Sequence, residues 1–198
     1  MGEHDVNLAA LIGSRICHDL ISPVGAITNG LELLEMAGAV QGAEMELISD
    51  SVGNAGARLR FFRIAYGLAG AEQVGPAEIA ALFADLNRGS RVQTRWDIDG
   101  AQPRCDVKLA FLALQCCETA MPFGGTASVR VEDGRLTVNG TAQKLKIDPD
   151  LWQGLSAPGG AARITPALVQ FALLPREAAA ADRRVRVETG DGTLTIRL

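Results

Sequence analysis

The chain has 198 residues, of which 47% are hydrophobic and 21% charged, a composition typical of a globular protein. Its net charge is −4 and its sequence pI is about 5.2, which argue against a nucleic-acid-binding or membrane-surface protein. The sequence begins without a signal-peptide pattern, and no apolar run approaches the roughly 20 residues that span a bilayer. We expect a cytoplasmic protein of one domain or two small ones.

Two long helices are predicted first. Residues 7 to 37 carry an apolar stripe at spacings of three and four, formed by Ile16, Leu20, Val24, Ile27, Leu31 and Leu34. A second helix, from Ala43 to Ala69, has the same spacing at Ile48, Val52, Ala55, Leu59 and Phe62. A short turn around Val40-Gln41 joins the two helices into an antiparallel hairpin.

A lone hairpin cannot shield two apolar stripes of this length. The simplest remedy is a second copy of the chain, which completes a dimeric four-helix bundle with twofold symmetry. The alternative is packing against the rest of the chain. We expect the homodimer, because both stripes run along the whole length of their helices.

The remainder of the chain mixes helices and strands after a small-residue linker at 67 to 75. The predicted elements are a helix at 76–87, a strand at 91–98, a helix at 106–120, a hairpin at 127–139, a helix at 163–180 interrupted near Pro175, and a second hairpin at 184–197. This order predicts an α/β sandwich in which helices cover one antiparallel sheet. The α+β chain is therefore divided into a helical-hairpin domain at 1–72 and an α/β domain at 76–198.

The four cysteines form no Cys-x-x-Cys pair, because Cys17 and Cys105 are isolated and Cys116 and Cys117 are adjacent. Structural metal sites usually need such pairs. We expect buried, reduced thiols and no metal site.

The first predicted helix contains His18, one of two histidines, followed directly by Asp19 and then by Ser22 and Pro23. Helical residues are about 100° apart, so His18 lies at about 200° from Ile16, opposite the apolar stripe. Its imidazole is therefore expected to be exposed, and imidazole can accept and pass on a group near neutral pH. The alternative is an ordinary surface histidine.

Polar, small and apolar residues surround His18 on that face. Leu11 and Ile21 are predicted to lie beside it, apolar and open to water, as at a site for a partner protein. The residues predicted to share the face are Arg15, Ser22, Gly25 and Asn29. Gly25 lowers helix stability, which indicates that something approaches the helix closely there.

The run His18-Asp19-Leu20-Ile21-Ser22-Pro23 resembles the H-box of histidine kinases, whose pattern is His, an acid, two residues, Thr/Ser/Asn and Pro. The longer run from Cys17 to Leu34 is similar to the ChpT-type histidine phosphotransferases of alphaproteobacteria. That similarity extends to residues 58–69 and to Met121–Gly125, and so to nearly the whole chain. The resemblance implies a dimeric helical-hairpin domain followed by a degenerate histidine-kinase ATP-binding domain.

The resemblance also implies an activity, the transfer of a phosphoryl group between receiver-domain aspartates. The donor in that family is the receiver of a hybrid kinase (CckA-like), and the acceptors are response regulators (CtrA-like and CpdR-like). His18 is then the phosphorylated residue, and Asp19 keeps the other ring nitrogen protonated. Ser22, one turn on, is placed to hydrogen-bond a phosphoryl oxygen. Arg15 either offsets the developing charge or simply pairs with Asp19.

Receiver recognition is expected to use Leu11, Ile21 and Gly25, with Asn29 as a further contact. The later part of the second helix is basic through Arg58, Arg60 and Arg63, and in an antiparallel hairpin it lies beside His18. Receivers present an acidic pocket, so this end could steer them electrostatically. The alternative is an ordinary solvated helix face.

A working kinase of this type needs an asparagine that holds Mg²⁺, and alignment to that motif places Cys116 there. Mg²⁺ prefers oxygen ligands, and the Asp-x-Gly-x-Gly loop of the kinases is absent. We therefore expect no ATP binding and no cofactor of the chain's own, with Mg²⁺ supplied by the partner receiver. Two alternatives stay open: a histidine kinase with an atypical nucleotide site, and a non-enzymatic adaptor that binds receivers.

Overall fold

A computed structural model describes residues 3–37, 42–68, 70–156 and 164–198. The first two helices, α1 (Glu3–Ala37) and α2 (Gly42–Ala65), pack side by side as the predicted hairpin. The predicted turn around Val40-Gln41 lies outside the described residues. Helix α2 ends at Ala65 rather than at Ala69, two residues before Gly67.

The C-terminal part contains four further helices and seven strands among the described residues. In chain order they are β1 (Gln73–Val74), α3 (Pro76–Asn87), β2 (Val92–Trp96), β3 (Gln102–Pro103), α4 (Arg104–Ala120), β4 (Gly125–Glu132), β5 (Arg135–Thr141), α5 (Pro149–Ser156), α6 (Val169–Ala180), β6 (Arg186–Thr189) and β7 (Thr193–Arg197). The sequence pattern did not reveal α5, although Asp148 accepts hydrogen bonds from the amides of Asp150 and Leu151 and so caps its first turn.

Five strands form one sheet in the order β2-β4-β5-β7-β6. The prediction of an antiparallel sheet is wrong at one edge, because β2 and β4 are parallel. Helix α4 connects these two strands, and a helical crossover returns the chain in the same direction. The remaining pairs are antiparallel, with Val138 opposite Ile196 in the middle of the sheet. Strands β1 and β3 form a separate two-stranded pair.

Helix α4 forms the centre of the core. Most of its side chains are buried between the sheet, the hairpin and α6. Phe111 of α4 stacks on Phe61 of α2 at a ring-centroid distance of 4.5 Å and meets the rings of Phe83 and Trp96 edge to face. Burial of such aromatic rings contributes several kcal/mol in total, on the order of 2–3 per side chain. This cluster joins the base of the hairpin to the α/β part.

Two local predictions fail. Helix α6 continues through Pro175 instead of being interrupted there, and it is preceded by a 3₁₀ turn at Pro166–Leu168. The predicted start of that helix, at residue 163, lies outside the described residues.

Cys17 is exposed rather than buried, whereas Cys116 and Cys117 are buried. Burial raises the pKa of both Cys116 and Cys117, so these thiols are neutral at pH 7.

Within the described ranges, no helix is both long enough and apolar enough to cross a membrane.

Candidate functional site

His18 lies on α1 with 81% of its side chain exposed, as its position opposite the apolar stripe predicts. Its Nδ1 atom is 3.1 Å from Oδ1 of Asp19. Neighbouring helical residues do not normally face each other, yet here the acid directly after the histidine reaches the ring. An ionised carboxylate can only accept a hydrogen bond, so this contact favours the proton on Nδ1 and leaves the Nε2 lone pair free.

Asp19 is held in place from the side opposite His18. Its side chain is only 11% exposed, and its Oδ2 accepts a 2.7 Å hydrogen bond from Nε of Arg15. Nη1 of Arg58, on α2, lies 3.9 Å from the same oxygen. Because Oδ2 faces two guanidinium groups, Oδ1 stays turned towards the imidazole. Asp19 therefore positions the His18 ring from a partly buried site.

Arg15 is engaged on both sides. Besides pairing with Asp19, it donates a 2.7 Å hydrogen bond from Nη1 to the carbonyl oxygen of Ala167, in the 3₁₀ turn before α6. Its side chain is 18% exposed. The sequence left two roles open for Arg15, which were to offset charge at His18 or to pair with Asp19. The structure shows the pair with Asp19, so the guanidinium is not a free cation beside His18. Arg15 thereby ties α1 to the C-terminal part of the chain.

The predicted docking residues divide into exposed and covered ones. Ser22, Gly25, Asn29 and Ile21 are exposed, Ile21 to 69%. Leu11 is not open to water as predicted, because it packs partly buried against the core. The reason is tertiary: α1 contacts α6 and its 3₁₀ turn as well as α2, and Leu8, Leu11, Ile12 and Ile16 in its first half pack against the core. From His18 towards the tip of the hairpin, the face stays exposed at Ile21, Ser22, Gly25 and Asn29.

The basic end of α2 is not a free patch. Nη2 of Arg60 is 2.6 Å from Oδ2 of Asp85, and Nη2 of Arg63 is 4.0 Å from Oε1 of Glu78. Both carboxylates belong to α3, which packs against α2. Arg60 and Arg63 are thus paired within the chain while remaining partly exposed, and their steering role stays a prediction.

A cleft of about 570 Å³ separates the hairpin from the α/β part beside Asp19 and Ser22. Its opposite wall includes Gln115 and Glu118 of α4, which the sequence analysis did not assign to the site. The side chain of Glu118 is exposed to the cleft, but protein atoms surround its carboxyl group and exclude part of the solvent. This burial raises the pKa of Glu118, while the charges of Arg15 and Arg58 lower it. The signal in the sequence was a carboxylate in the mostly apolar part of α4 that follows Lys108.

Gln115 also receives a hydrogen bond from the hydroxyl of Tyr66, at 3.1 Å from its Oε1. Burial raises the pKa of Tyr66 to about 12, with the hydrogen bond to Gln115 acting in the opposite direction. The tyrosine thus stays protonated and joins the end of α2 to the floor of the cleft.

Known proteins resemble this chain in sequence and in structure. The family described as "Histidine phosphotransferase C-terminal domain" matches residues 76–193. Protein phosphotransferase ChpT of Brucella abortus (strain 2308) is 41% identical over 153 residues, which cover 73% of this chain and 72% of that protein. The chain belongs to the histidine phosphotransferase family.

A solved bacterial phosphotransferase is similar to this chain over 100% of the chain's length and 97% of its own, with 31% identity and a TM-score of 0.79. The resemblance drawn from the H-box and its flanking run is therefore confirmed. The predicted α+β class, with a helical N-terminal part and a sheet-containing C-terminal part, is confirmed as well. The roles of the individual site residues and the division at 72 to 76 stay predictions.

Proposed function

We propose that this chain carries a phosphoryl group on His18 and passes it between aspartates of receiver domains. The observation that carries the proposal is an exposed imidazole whose Nδ1 faces a carboxylate held by two arginines. An arrangement that fixes one ring nitrogen and exposes the other suits a nucleophile in repeated group transfer. The similarity to relatives named as phosphotransferases supports the same proposal.

The transfer balances without any cofactor bound to this chain. Nε2 of His18 attacks the phosphorus of a phospho-aspartate in line, the bond from phosphorus to the carboxylate oxygen breaks, and the free carboxylate leaves. The ring then carries positive charge, which Asp19 offsets at Nδ1. In the second step the carboxylate of another receiver attacks the phosphohistidine, and His18 returns to its neutral form.

The exposed surface next to His18 fits a docked receiver. Ile21 supplies apolar area, Ser22 stands one turn from His18 to hydrogen-bond a phosphoryl oxygen, and Asn29 extends the contact. Mg²⁺, which neutralises phosphoryl charge in such reactions, belongs to the receiver in this proposal. The partners are receivers of a hybrid kinase and of response regulators.

We also propose that the chain does not use ATP. Cys116 stands where a kinase would hold Mg²⁺ through an asparagine, and its buried, protonated thiol is a poor ligand for a hard cation. The glycine-containing run at 157–161 holds no Lys, Asp or Asn that could pair with a nucleotide, and it lies outside the described residues.

The proposal is tested by mixing the purified chain with a ³²P-phosphorylated receiver. We expect label that is acid-labile and alkali-stable on the wild type, and none on His18→Ala. The chain offers a matched control, since His4→Ala removes its other histidine and should accept the label normally. Label on His18→Ala would contradict the carrier role.

Two further arms separate the alternatives. Incubation with labelled ATP alone should leave the chain unlabelled, and labelling of His18 by ATP would instead identify a histidine kinase. Receiver binding without any transfer of label would identify an adaptor. Receiver affinity is measured on His18→Ala as well, because a carrier should lose transfer and keep binding.

A further inference from the structure

Gln170 is a buried polar side chain next to the turn that Arg15 reaches. It lies in the first turn of α6 and is 0% exposed, a degree of burial at which apolar side chains predominate. Its Nε2 donates a 2.9 Å hydrogen bond to Oγ1 of Thr119 on α4 and a 3.1 Å hydrogen bond to the carbonyl oxygen of Ala167. A side-chain amide has two such protons, so both are engaged.

The neighbours of Gln170 determine which way its amide is turned. The hydroxyl of Thr119 donates its own proton to the carbonyl oxygen of Gln115, 2.9 Å away, so its oxygen accepts the bond from Gln170. The carbonyl oxygen of Ala167 is also an acceptor. Turning the amide over would place Oε1 against two acceptors. Nε2 therefore faces both of them, and Oε1 is a buried oxygen without a partner among the described residues.

This arrangement is not the most stable one for a buried position. An oxygen without a partner is unfavourable in the core, and an apolar side chain of the same length would avoid it. What the amide adds is a fixed position for the carbonyl group of Ala167, which it joins to Thr119 on the central helix. The same carbonyl oxygen accepts the 2.7 Å hydrogen bond from Nη1 of Arg15 on α1.

A continuous chain of contacts leads from that carbonyl to His18. Nε of Arg15 donates to Oδ2 of Asp19 at 2.7 Å, and Oδ1 of Asp19 lies 3.1 Å from Nδ1 of His18. The side chains of Arg15 and Asp19 are 18% and 11% exposed, so little water competes for their hydrogen bonds. The chain thus joins the core to an imidazole that is 81% exposed.

We propose, on the basis of the carrier role proposed for His18, that Gln170 is a positioning residue for the phosphoryl transfer. It holds the Ala167 carbonyl where Arg15 reaches it. Arg15 in turn orients Asp19, which keeps the ring proton of His18 on Nδ1 and leaves Nε2 as the nucleophile. Because Gln170 is buried, it acts through this chain of contacts and not by touching a receiver.

The test is Gln170→Met, which keeps the length of the side chain and removes both hydrogen-bond donors. No other group in the chain of contacts loses its last partner, because Thr119 still donates to a backbone carbonyl and Ala167 still accepts from Arg15. The midpoint of thermal unfolding should therefore stay within about 3 °C of that of the wild type.

Two measurements separate positioning from a merely structural role, and both use a His4→Ala background in which His18 is the single histidine. ¹⁵N NMR at about pH 9, where imidazole is neutral, reports which ring nitrogen carries the proton. The Nδ1–H form should predominate in the parent and lose population to the Nε2–H form in Gln170→Met. Transfer at saturating receiver should become about three- to tenfold slower, since Arg58 still lies beside Asp19.

Thr137→Val is the matched control. Thr137 is 0% exposed and donates a hydrogen bond to the carbonyl oxygen of Arg135 within β5, so the variant also removes a buried side-chain hydrogen bond. It should leave the tautomer ratio and the transfer rate within about twofold of the parent. In an Arg15→Met background, where the next link is already missing, Gln170→Met should have no further effect on either quantity.

An unchanged tautomer ratio in Gln170→Met would overturn the proposal, even if transfer became slower, because the side chain would then act by another route. A full effect of Gln170→Met in the Arg15→Met background would overturn it as well. The ratio is measured without a receiver. A shifted ratio in a chain that takes up no label would therefore refute the carrier role of His18 and still show that Gln170 sets the ring.

Discussion

Asp19 is the residue on which the geometry of His18 depends. It joins the imidazole to two arginines on two helices, and one of those arginines also reaches the 3₁₀ turn before α6. The orientation of the ring is thus coupled to the packing of the C-terminal part. A neutral side chain of the same shape at position 19 would remove the carboxylate charge and keep the packing around it, so the two effects could be measured separately.

Asp19→Asn should slow phosphoryl transfer about 10- to 100-fold, because the amide cannot offset the charge on the phosphorylated ring and can turn its NH₂ group towards it. Receiver affinity should change little. The measurement is the rate of label transfer from a phosphorylated receiver, with Glu32→Gln on the exposed surface of α1 as the control. Transfer at the wild-type rate would show that Asp19 has no part in the reaction.

Tyr66 gives a prediction about pH. Its pKa is about 12 in the folded chain against 10.0 for a free tyrosine, so the folded state holds the phenolic proton more tightly. The stability from this group is complete below pH 10 and is lost as the pH rises from about 10 to 12. Tyr66 is the single tyrosine, so phenolate absorbance should show a midpoint near 12 in buffer and near 10 in urea.

Tyr66→Phe removes both the titration and the hydrogen bond to Gln115. The variant should lose about 1 kcal/mol of unfolding free energy at pH 7. Its unfolding free energy should also fall less than that of the wild type between about pH 10 and 12, because it has no phenol to ionise. A phenolate midpoint near 10 in the folded wild type would contradict the burial of this hydroxyl.

At the scale of the elements, one part of α1 packs against the C-terminal part of the chain and another part stays open. Its first half packs on the C-terminal part through Leu11 and Ile16, and its second half extends beyond that contact. His18 lies where the two halves meet. Gly25 follows on the open half, and a Cβ placed there would meet no atom within 4 Å.

Gly25→Ala should raise the unfolding free energy by about 0.5–1 kcal/mol, because glycine is less favourable than alanine inside a helix. If Gly25 permits the close approach of a receiver, the same substitution should weaken receiver binding. Gly13→Ala is the matched control, since it lies on the same helix and its Cβ would also meet open space. Equal receiver binding by both variants would remove Gly25 from the docking surface.

Helix α2 shows why charge along a sequence is an incomplete guide to a binding surface. Arg60 and Arg63 stand one turn apart and look like one basic edge, but each faces a carboxylate of α3. Exposed pairs of this kind contribute at most about 1 kcal/mol each. Here the pairs offset part of the positive charge at this end of α2.

At the scale of the whole molecule, the hairpin has an apolar face that the described part of the chain leaves uncovered. Val24 and Leu31 on α1 are 52% and 51% exposed, and Val52 and Leu59 on α2 are 54% and 52% exposed. Each pair is seven residues apart, the spacing at which helices of a bundle meet. This face fits the proposed homodimer.

Val52→Glu/Leu59→Glu should convert the predicted homodimer into a monomer, because two buried charges per subunit would face their counterparts across the predicted interface. Light scattering coupled to size-exclusion chromatography measures the mass against the 20.8 kDa of one chain. Leu68→Glu is the control, since Leu68 is 92% exposed beyond the end of α2. A wild-type chain that runs as a monomer would contradict the dimer.

The family, the two long helices and the exposure of His18 could be predicted from the sequence. Helical periodicity is a local property, so the angle between His18 and the apolar stripe follows from residue spacing alone. The H-box and its flanking run are contiguous, which is why they identify the family without a structure. The hairpins around Asp133-Gly134 and Gly190-Asp191-Gly192 also depend on local turn chemistry.

The tertiary structure decided which side chains meet. Arg15 reaches a carbonyl 152 residues away, Leu11 packs partly buried against the core, and the α4 crossover leaves β2 and β4 parallel. Such contacts depend on how elements pack rather than on their periodicity, so they could not be derived from the pattern of any one segment.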